Sequence, residues 1–300
     1  MRITHTWTEL TASIGIEGLP GPVRIMHVGD THLDLIDDRD ADFIDHCRGI
    51  GMRFARRHQY RDPQGQPFST EYAFVATIRE AQSRKVDLIV HSGDLVDFPA
   101  RASIDRAVAI LDGAGIPWLY TSGDHDWFFF PMGLSPGLRE RWWPVLDRLT
   151  AGRPACGQRD VLGIRFLTVD DTTYQISEEQ LAFTQEALSG GLPTVVVMHV
   201  PLSIATLRRA SIEKRRHTNL LADPDWPLAQ RQAVCIGTDT AATREFVRTL
   251  TGAENLAAVL AGHLHFLHAD AVHPRAVQYV APPNYAALHR LIEFHPLRNG

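Results

Sequence analysis

Unbroken apolar runs dominate the hydrophobic pattern of this chain, and six of them end in small or polar residues. Val23 to Val28 gives way to Gly29-Asp30-Thr31-His32, and Val86 to Val90 to His91-Ser92-Gly93-Asp94. Trp118-Leu119-Tyr120 runs into Thr121-Ser122-Gly123-Asp124-His125, and "GIRFLTV" into Asp170-Asp171. "TVVVM" meets His199, while "LAAVLAG" meets His263 and then His265. Continuous rather than alternating runs predict strands buried on both faces, as in the middle of a largely parallel sheet.

Helical periodicity fills most of the gaps. Ser69 or Thr70 can cap a helix burying Phe74, Ile78 and Ala81, which share one face at that spacing. Ser177 with Gln180 forms a capping box ahead of Leu181 and Leu188. Thr240 to Leu250 carries Phe246, Val247 and Leu250 on one side. Strands alternating with helices predict an α/β architecture. In such sheets ligands collect beyond the carboxyl ends of the strands, which is where every one of these polar motifs falls. Residues 34–67, closing on "RDPQGQP", and 203–237, with "LRRASIEKRRH" and "DPDWP", break the alternation. Both read as surface insertions near the site, within a single domain spanning 1–300. The N-terminal "ITHTWTELTASIGIEGLPGP" alternates loosely and predicts an edge hairpin.

Composition narrows the function classes. A net charge of −5 provides no general basic footprint for nucleic acid. Cys47, Cys156 and Cys235 are too scattered for a disulfide framework and suit a reducing compartment. "MRITHTWTEL" lacks the apolar core of a signal peptide, and "TVVVMHV" is too short to cross a bilayer. A soluble, cytoplasmic protein with no membrane partner is expected. The unusual count is histidine, fifteen in all.

Buried carboxylates are costly unless paired, hydrogen-bonded or bound to a metal. A single Asp or His at a strand end is normally a turn or cap residue. Here Asp30, His32, Asp94, Asp124, His199, His263 and His265 all end strands of one predicted sheet. Mixed imidazole and carboxylate donors suit Mn, Zn, Fe or Ni. The set is too large for one tetrahedral ion and suits two ions that share a carboxylate.

The order and spacing of these blocks resemble the calcineurin-like metallophosphoesterase superfamily, whose signature is D-x-H, G-D-x-x-D, G-N-H-D/E, a lone His and G-H-x-H. The counterparts are Asp30-Thr31-His32, Gly93-Asp94-Leu95-Val96-Asp97, Gly123-Asp124-His125-Asp126, His199 and Gly262-His263-Leu264-His265. The resemblance implies a four-layer α/β/β/α sandwich. It also implies a hydrolase in which a hydroxide bridging two divalent (or mixed-valence) transition-metal ions attacks phosphorus in line. It assigns Asp30, His32, Asp94 and His265 to one ion and Asp94, Asp124, His199 and His263 to the other. His125 would stand by the leaving oxygen, with Asp97 as its orienting partner.

One position departs from the pattern. Asp124 occupies the place of an asparagine, so three carboxylates face two divalent ions and leave +1 where asparagine would leave +2. That charge favours metal retention and monoanionic diesters over dianionic monoesters.

The expected function is a phosphodiesterase of the bacterial cyclic-nucleotide type acting on a phosphoester, with nucleotides among the candidates. The alternatives are a nuclease of the double-strand-break repair type, which shares "DTHL", a phosphomonoesterase, and a non-catalytic scaffold like the retromer subunit of this fold. Net negative charge weighs against the nuclease, and the occupied His125 and ligand positions against the scaffold. Several residues stay outside the site on this reading. His27 and His91 read as core histidines, His268 and His273 as loop residues, and Trp127 to Phe130 as packing. Asp170 and Asp171 have no counterpart in the signature. Arg53, Arg56, Arg57, Arg208, Arg209, Lys214, Arg215 and Arg216 can hold a phosphate, although a solvated helix face is the default for such runs.

Overall fold

The computed structural model describes residues 1–41, 60–61, 65–127 and 136–297. One six-stranded sheet contains β1 (Ile3–Trp7), β2 (Thr11–Ile16), β3 (Val23–Val28), β6 (Leu88–His91), β7 (Trp118–Tyr120) and β14 (Arg290–Pro296), ordered β1-β2-β14-β3-β6-β7. A second contains β8 (Cys156–Val161), β9 (Ile164–Val169), β10 (Thr194–Val197), β11 (Leu256–Ala261), β12 (His268–His273) and β13 (Ala276–Val280), ordered β12-β13-β11-β10-β9-β8. β4 (Tyr60–Arg61) and β5 (Pro67–Phe68) make a small separate ribbon. The helices are α1 (Thr70–Ser83), α2 (Arg101–Gly113), α3 (Pro136–Thr150), α4 (Glu178–Ser189), α5 (Ala205–Arg215), α6 (Leu228–Ala233) and α7 (Ala241–Gly252).

All six apolar runs form strands, and the side-chain alternation explains why they are unbroken. Val23, Ile25, Leu88 and Val90 of the first sheet share a core with Phe166, Val195, Val197 and Leu260 of the second. Their neighbours Met26, Val28, Ile89, Val196 and Val259 join the core built with Phe74 and Ile78 of α1, Leu111 of α2, Leu181 of α4 and Phe246 of α7. Each central strand is therefore covered by a sheet on one face and helices on the other. This is the expected α/β/β/α sandwich.

Local signals hold as well. The Ser69 side chain caps α1 by accepting from the Tyr72 amide, and Ser177 with Gln180 makes the capping box of α4. β1 and β2 form the N-terminal hairpin at the edge of the first sheet. The sequence pattern did not single out β14, which lies between β2 (parallel) and β3 (antiparallel). Only Ile292 and Phe294 supply its large fully buried apolar side chains, so it lacks the continuous run that marks the other central strands.

Residues 203–237 form α5, α6 and their connections. α5 packs beside β12 through a small core of Leu207, Leu220, Leu264 and Val280, distinct from the two larger clusters. The other predicted insertion falls largely outside the described residues. Among the described residues, no helix is long and apolar enough to cross a membrane.

Candidate metal centre

The parallel strands of both sheets end on one rim, and their loops interlock there. The Asp30 amide donates to the Gly93 carbonyl (3.0 Å) and the His32 amide to the Asp94 carbonyl (2.9 Å). The twin turns Ser92-Gly93-Asp94 and Ser122-Gly123-Asp124 pack so closely that only glycine fits. A Cβ on Gly123 would lie 2.1 Å from the Asp94 nitrogen, and one on Gly93 would lie 2.5 Å from His199 Nδ1. Asp126 staples these turns, its buried carboxylate accepting from the Val96 amide (2.8 Å), the Gly123 amide (2.7 Å) and the Tyr120 hydroxyl (2.7 Å). Asp30, His32, Asp94, His263 and His265 all adopt positive φ, between 50° and 70°. Such a backbone costs a non-glycine residue about 1–2 kcal/mol. It persists where surrounding bonds over-determine it, a pattern that clusters at functional sites.

The strain turns the side chains toward one another. Donor atoms of Asp30, His32, Asp94 and His265 lie within 4.8 Å of one another, as do those of Asp124, His199 and His263. Asp94 joins the groups: its Oδ2 is 3.4 Å from His32 Nε2, and its Oδ1 is 3.4 Å from His199 Nε2. His265 Nε2 approaches Asp30 Oδ1 (3.2 Å), and His199 Nε2 approaches Asp124 Oδ1 (3.1 Å). His263 turns its other nitrogen inward, with Nδ1 3.4 Å from Asp124 Oδ1. All seven residues predicted as ligands thus meet in two adjoining clusters.

Each of the four rings has a partner on its outward nitrogen, which fixes its orientation. His32 Nδ1 meets Asp97 Oδ1 (3.1 Å), and His199 Nδ1 meets the Ser92 carbonyl (2.9 Å). His263 Nε2 pairs with the Tyr174 hydroxyl (2.9 Å) and His265 Nδ1 with that of Tyr285 (3.0 Å). His125 sits over the clusters, its amide donating to Asp94 Oδ1 (2.9 Å) and its ring 4.7 Å from that of His32. Its Nδ1 is 3.4 Å from Asp97 Oδ1, so Asp97 serves His32 and His125 together rather than His125 alone. The His32 and His199 side chains are fully buried, whereas that of His125 is 34% exposed and that of His265 21%. The opening of the centre lies on that side.

The electrostatics call for cations. Burial alone would raise the carboxyls of Asp30, Asp94 and Asp124, yet the neighbouring histidines hold all three below the usual carboxylate range. Burial likewise opposes charge on His199, but Asp94 and Asp124 keep its proton affinity well above the ordinary value. His125 is pushed up to about 10, its burial outweighed by the negative charge of Asp94 and the hydrogen bond to Asp97. Protons on histidine here stand where positive charge is demanded. Among the described residues, the buried Asp30 Oδ2 has no hydrogen-bond partner. Orphaned oxygen, converging imidazole nitrogens and clustered carboxylates together fit a pair of divalent cations.

Residues between the motifs back the two clusters; the sequence reading set Asp170 and Asp171 aside and did not single out Tyr174 or Tyr285. Asp171 Oδ1 accepts from the His199 amide (2.9 Å) and both its oxygens from that of Val200, so it holds the loop carrying His199. Asp170 braces the turn after β9 that carries Asp171, through Thr172, Arg139 and Trp143. Tyr174 follows β9 and Tyr285 follows β13, again beyond strand carboxyl ends. Strand-end position was therefore the one signal available for these residues. His27 and His91 lie behind the centre, on Ser92 Oγ and Thr31 Oγ1. Arg53, Arg56, Arg57 and Phe128 to Phe130 lie outside the described residues.

Comparison with known proteins agrees with this geometry. A curated relative from Psychrobacter arcticus, named a probable cyclic nucleotide phosphodiesterase, is 40% identical over 58 residues, 19% of this chain and 21% of that protein's own length. The fold is similar to a dimetal phosphatase from Danio rerio (TM-score 0.51, 10% identity, 88% of each chain). It is also similar to the purple acid phosphatase PPD1 of yellow lupin, Lupinus luteus (TM-score 0.54, 12% identity, 96% of this chain and 48% of that one). The model of the calcineurin-like phosphoesterases matches residues 23–267, from the strand that leads into Asp30 to just past His265. With most of its length matched, the chain belongs to the calcineurin-like phosphoesterase family, and is a metal-dependent phosphoester hydrolase.

Proposed function

We propose that the protein is a phosphodiesterase with a binuclear metal centre. Asp30, His32 and His265 would hold one ion, Asp124, His199 and His263 the other, and Asp94 would bridge. The observation that carries this reading is the placement of Asp94, whose two oxygens face separate donor clusters. Two divalent ions bound there would supply an activated water nucleophile and polarise the phosphoryl oxygens.

The remaining work falls to the chain's own residues. His125, part-exposed at the opening and beside Asp97, is placed to give a proton to the departing oxygen. Asp97 keeps that ring and the His32 ring in register. Asp124 supports a diester preference, because its carboxylate stays ionised and lowers the positive field met by a dianionic ester. The relative from Psychrobacter arcticus lends the same direction. We also read residues 1–300 as one domain, since strands near both ends of the chain pair in the first sheet.

The test is a substrate panel with added Mn: bis-p-nitrophenyl phosphate, p-nitrophenyl phosphate and duplex DNA. The expected result is highest kcat/KM on the diester, with His125→Ala slower by roughly 10²–10⁴-fold at unchanged metal content. Monoester turnover exceeding diester turnover would overturn the diester reading. Loss of metal in His125→Ala would overturn its assigned role.

A further inference from the structure

α5 brings two cations to the loop that carries His263 and His265. Arg215, at its last turn, donates from Nη1 to the carbonyl of His263 (2.8 Å). Among the described residues this is the one hydrogen bond its guanidinium makes, and no carboxylate pairs with it. Lys214 places Nζ 4.7 Å over the ring of Phe266, the neighbour of His265. The two cations thus bracket the Gly262-His263-Leu264-His265 loop. Cations at a helix C-terminus are favourable for the helix dipole alone, and Arg216 beside them is exposed and serves no more than that. The dipole does not require a half-buried guanidinium fastened to the backbone of a metal-facing histidine.

The helix that carries them is held at its first turn. Thr206 bonds Asp270 at its start, and Leu207 enters the small core with Leu264. Arg215 is therefore anchored by one donor, with the rest of its fork unengaged, next to a centre whose carboxylates cancel much of the charge of two divalent ions. A guanidinium fork in that state matches a phosphate or carboxylate.

We propose that Arg215, assisted by Lys214, forms a second anion-binding subsite at the rim of the centre, so that preferred substrates carry an anionic group besides the ester being cleaved. This deepens the phosphoesterase reading and rests on it.

Calorimetric titration of the Mn-loaded protein tests it without turnover. Adenosine 3′,5′-bisphosphate is compared with adenosine 5′-monophosphate for a second phosphate, and 3-phosphoglycerate with glycerol 3-phosphate for a carboxylate. The wild type is expected to bind at least one doubly anionic partner about tenfold tighter than its match, the strength of a charge-assisted pair. Arg215→Gln should erase most of that ratio. Arg215→Lys should keep part of it, because the charge remains while the fork is lost. Metal content is measured on each variant, and the ratio cancels any general loss of affinity. No preference in the wild type, or an unchanged ratio in metal-replete Arg215→Gln, overturns the subsite. If Arg215→Gln does not fold, the Arg215→Lys ratio decides: a value equal to wild type overturns the proposal. Absence of hydrolysis counts against the phosphoesterase reading alone.

Discussion

Around the shared Asp94, one half of the centre has Asp30, His32 and His265, and the other has Asp124, His199 and His263. The donor types are the same, but their backing differs. His32 leans on the carboxylate of Asp97, whereas His199 leans on the neutral carbonyl of Ser92. Asp30 is fully buried, while Asp124 is 13% exposed at the side chain and lies toward the opening. Arg215 adds a positive charge on the backbone of His263. A carboxylate behind an imidazole makes the ring a better donor, and a nearby cation disfavours a metal. On the proposed assignment the first half should fill first and release last. Equal donors do not make equal sites when the next layer differs.

The largest expected effect removes the distinction altogether. Asp94→Asn weakens the bridge common to both halves, so metal content should fall from two ions per chain to one or none. Turnover should fall by at least about 10³-fold, the scale of losing a principal electrostatic element. Elemental analysis after gel filtration, with rates at saturating Mn, checks this. Two ions retained would mean that Asp94 does not bridge.

A smaller perturbation separates the halves. Tyr285→Phe frees the outward nitrogen of His265 and Tyr174→Phe that of His263. Each should lower metal affinity by roughly 10–100-fold, the first at the tighter class of site and the second at the weaker. A Mn titration followed by electron paramagnetic resonance resolves the classes. Both substitutions acting on one class would mean that the two halves are not separate sites.

The smallest effect concerns stability. Burial holds His27 and His91, behind the Asp30 turn, down to about 3 from an ordinary value of 6.5. Between those values the unfolded chain binds more protons than the folded one, so stability falls as pH drops from about 6.5 toward 3. One such histidine should cost roughly 2 kcal/mol between pH 7 and 5. Urea midpoints at the two pH values should differ less in His91→Gln than in wild type. An equal difference would mean that His91 is not buried neutral.

Much of this was readable in the residues. The unbroken runs predicted strands buried on both faces, and the motifs after them named every side chain in the two clusters, because those side chains sit where the loops turn off the strand ends. The backing layer was harder to read. Tyr174, Tyr285 and Asp171 act on atoms of residues far away in the chain, and no spacing rule links them to their partners. Asp97 appeared as the partner of His125 because the resemblance pairs them, while its shorter contact to His32 is a matter of packing. β14 escaped notice because alternation with few large apolar residues resembles an exposed edge strand, and only its neighbours make it central.

The placement of β14 bears on synthesis. A ribosome delivers the chain from its N-terminus at about 5–20 residues per second. Until Arg290–Pro296 emerges, β2 and β3 each lack the strand that will lie between them. The Asp30 turn, which ends β3, also waits for the amides of Asn284 and Tyr285 to cap the Gly29 and Asp30 carbonyls. A nascent chain therefore carries all seven proposed ligands before the strand and amides that brace the Asp30 turn have emerged. On the proposed assignment, loading belongs to the finished molecule, and an unfinished one exposes open strand edges at β2 and β3.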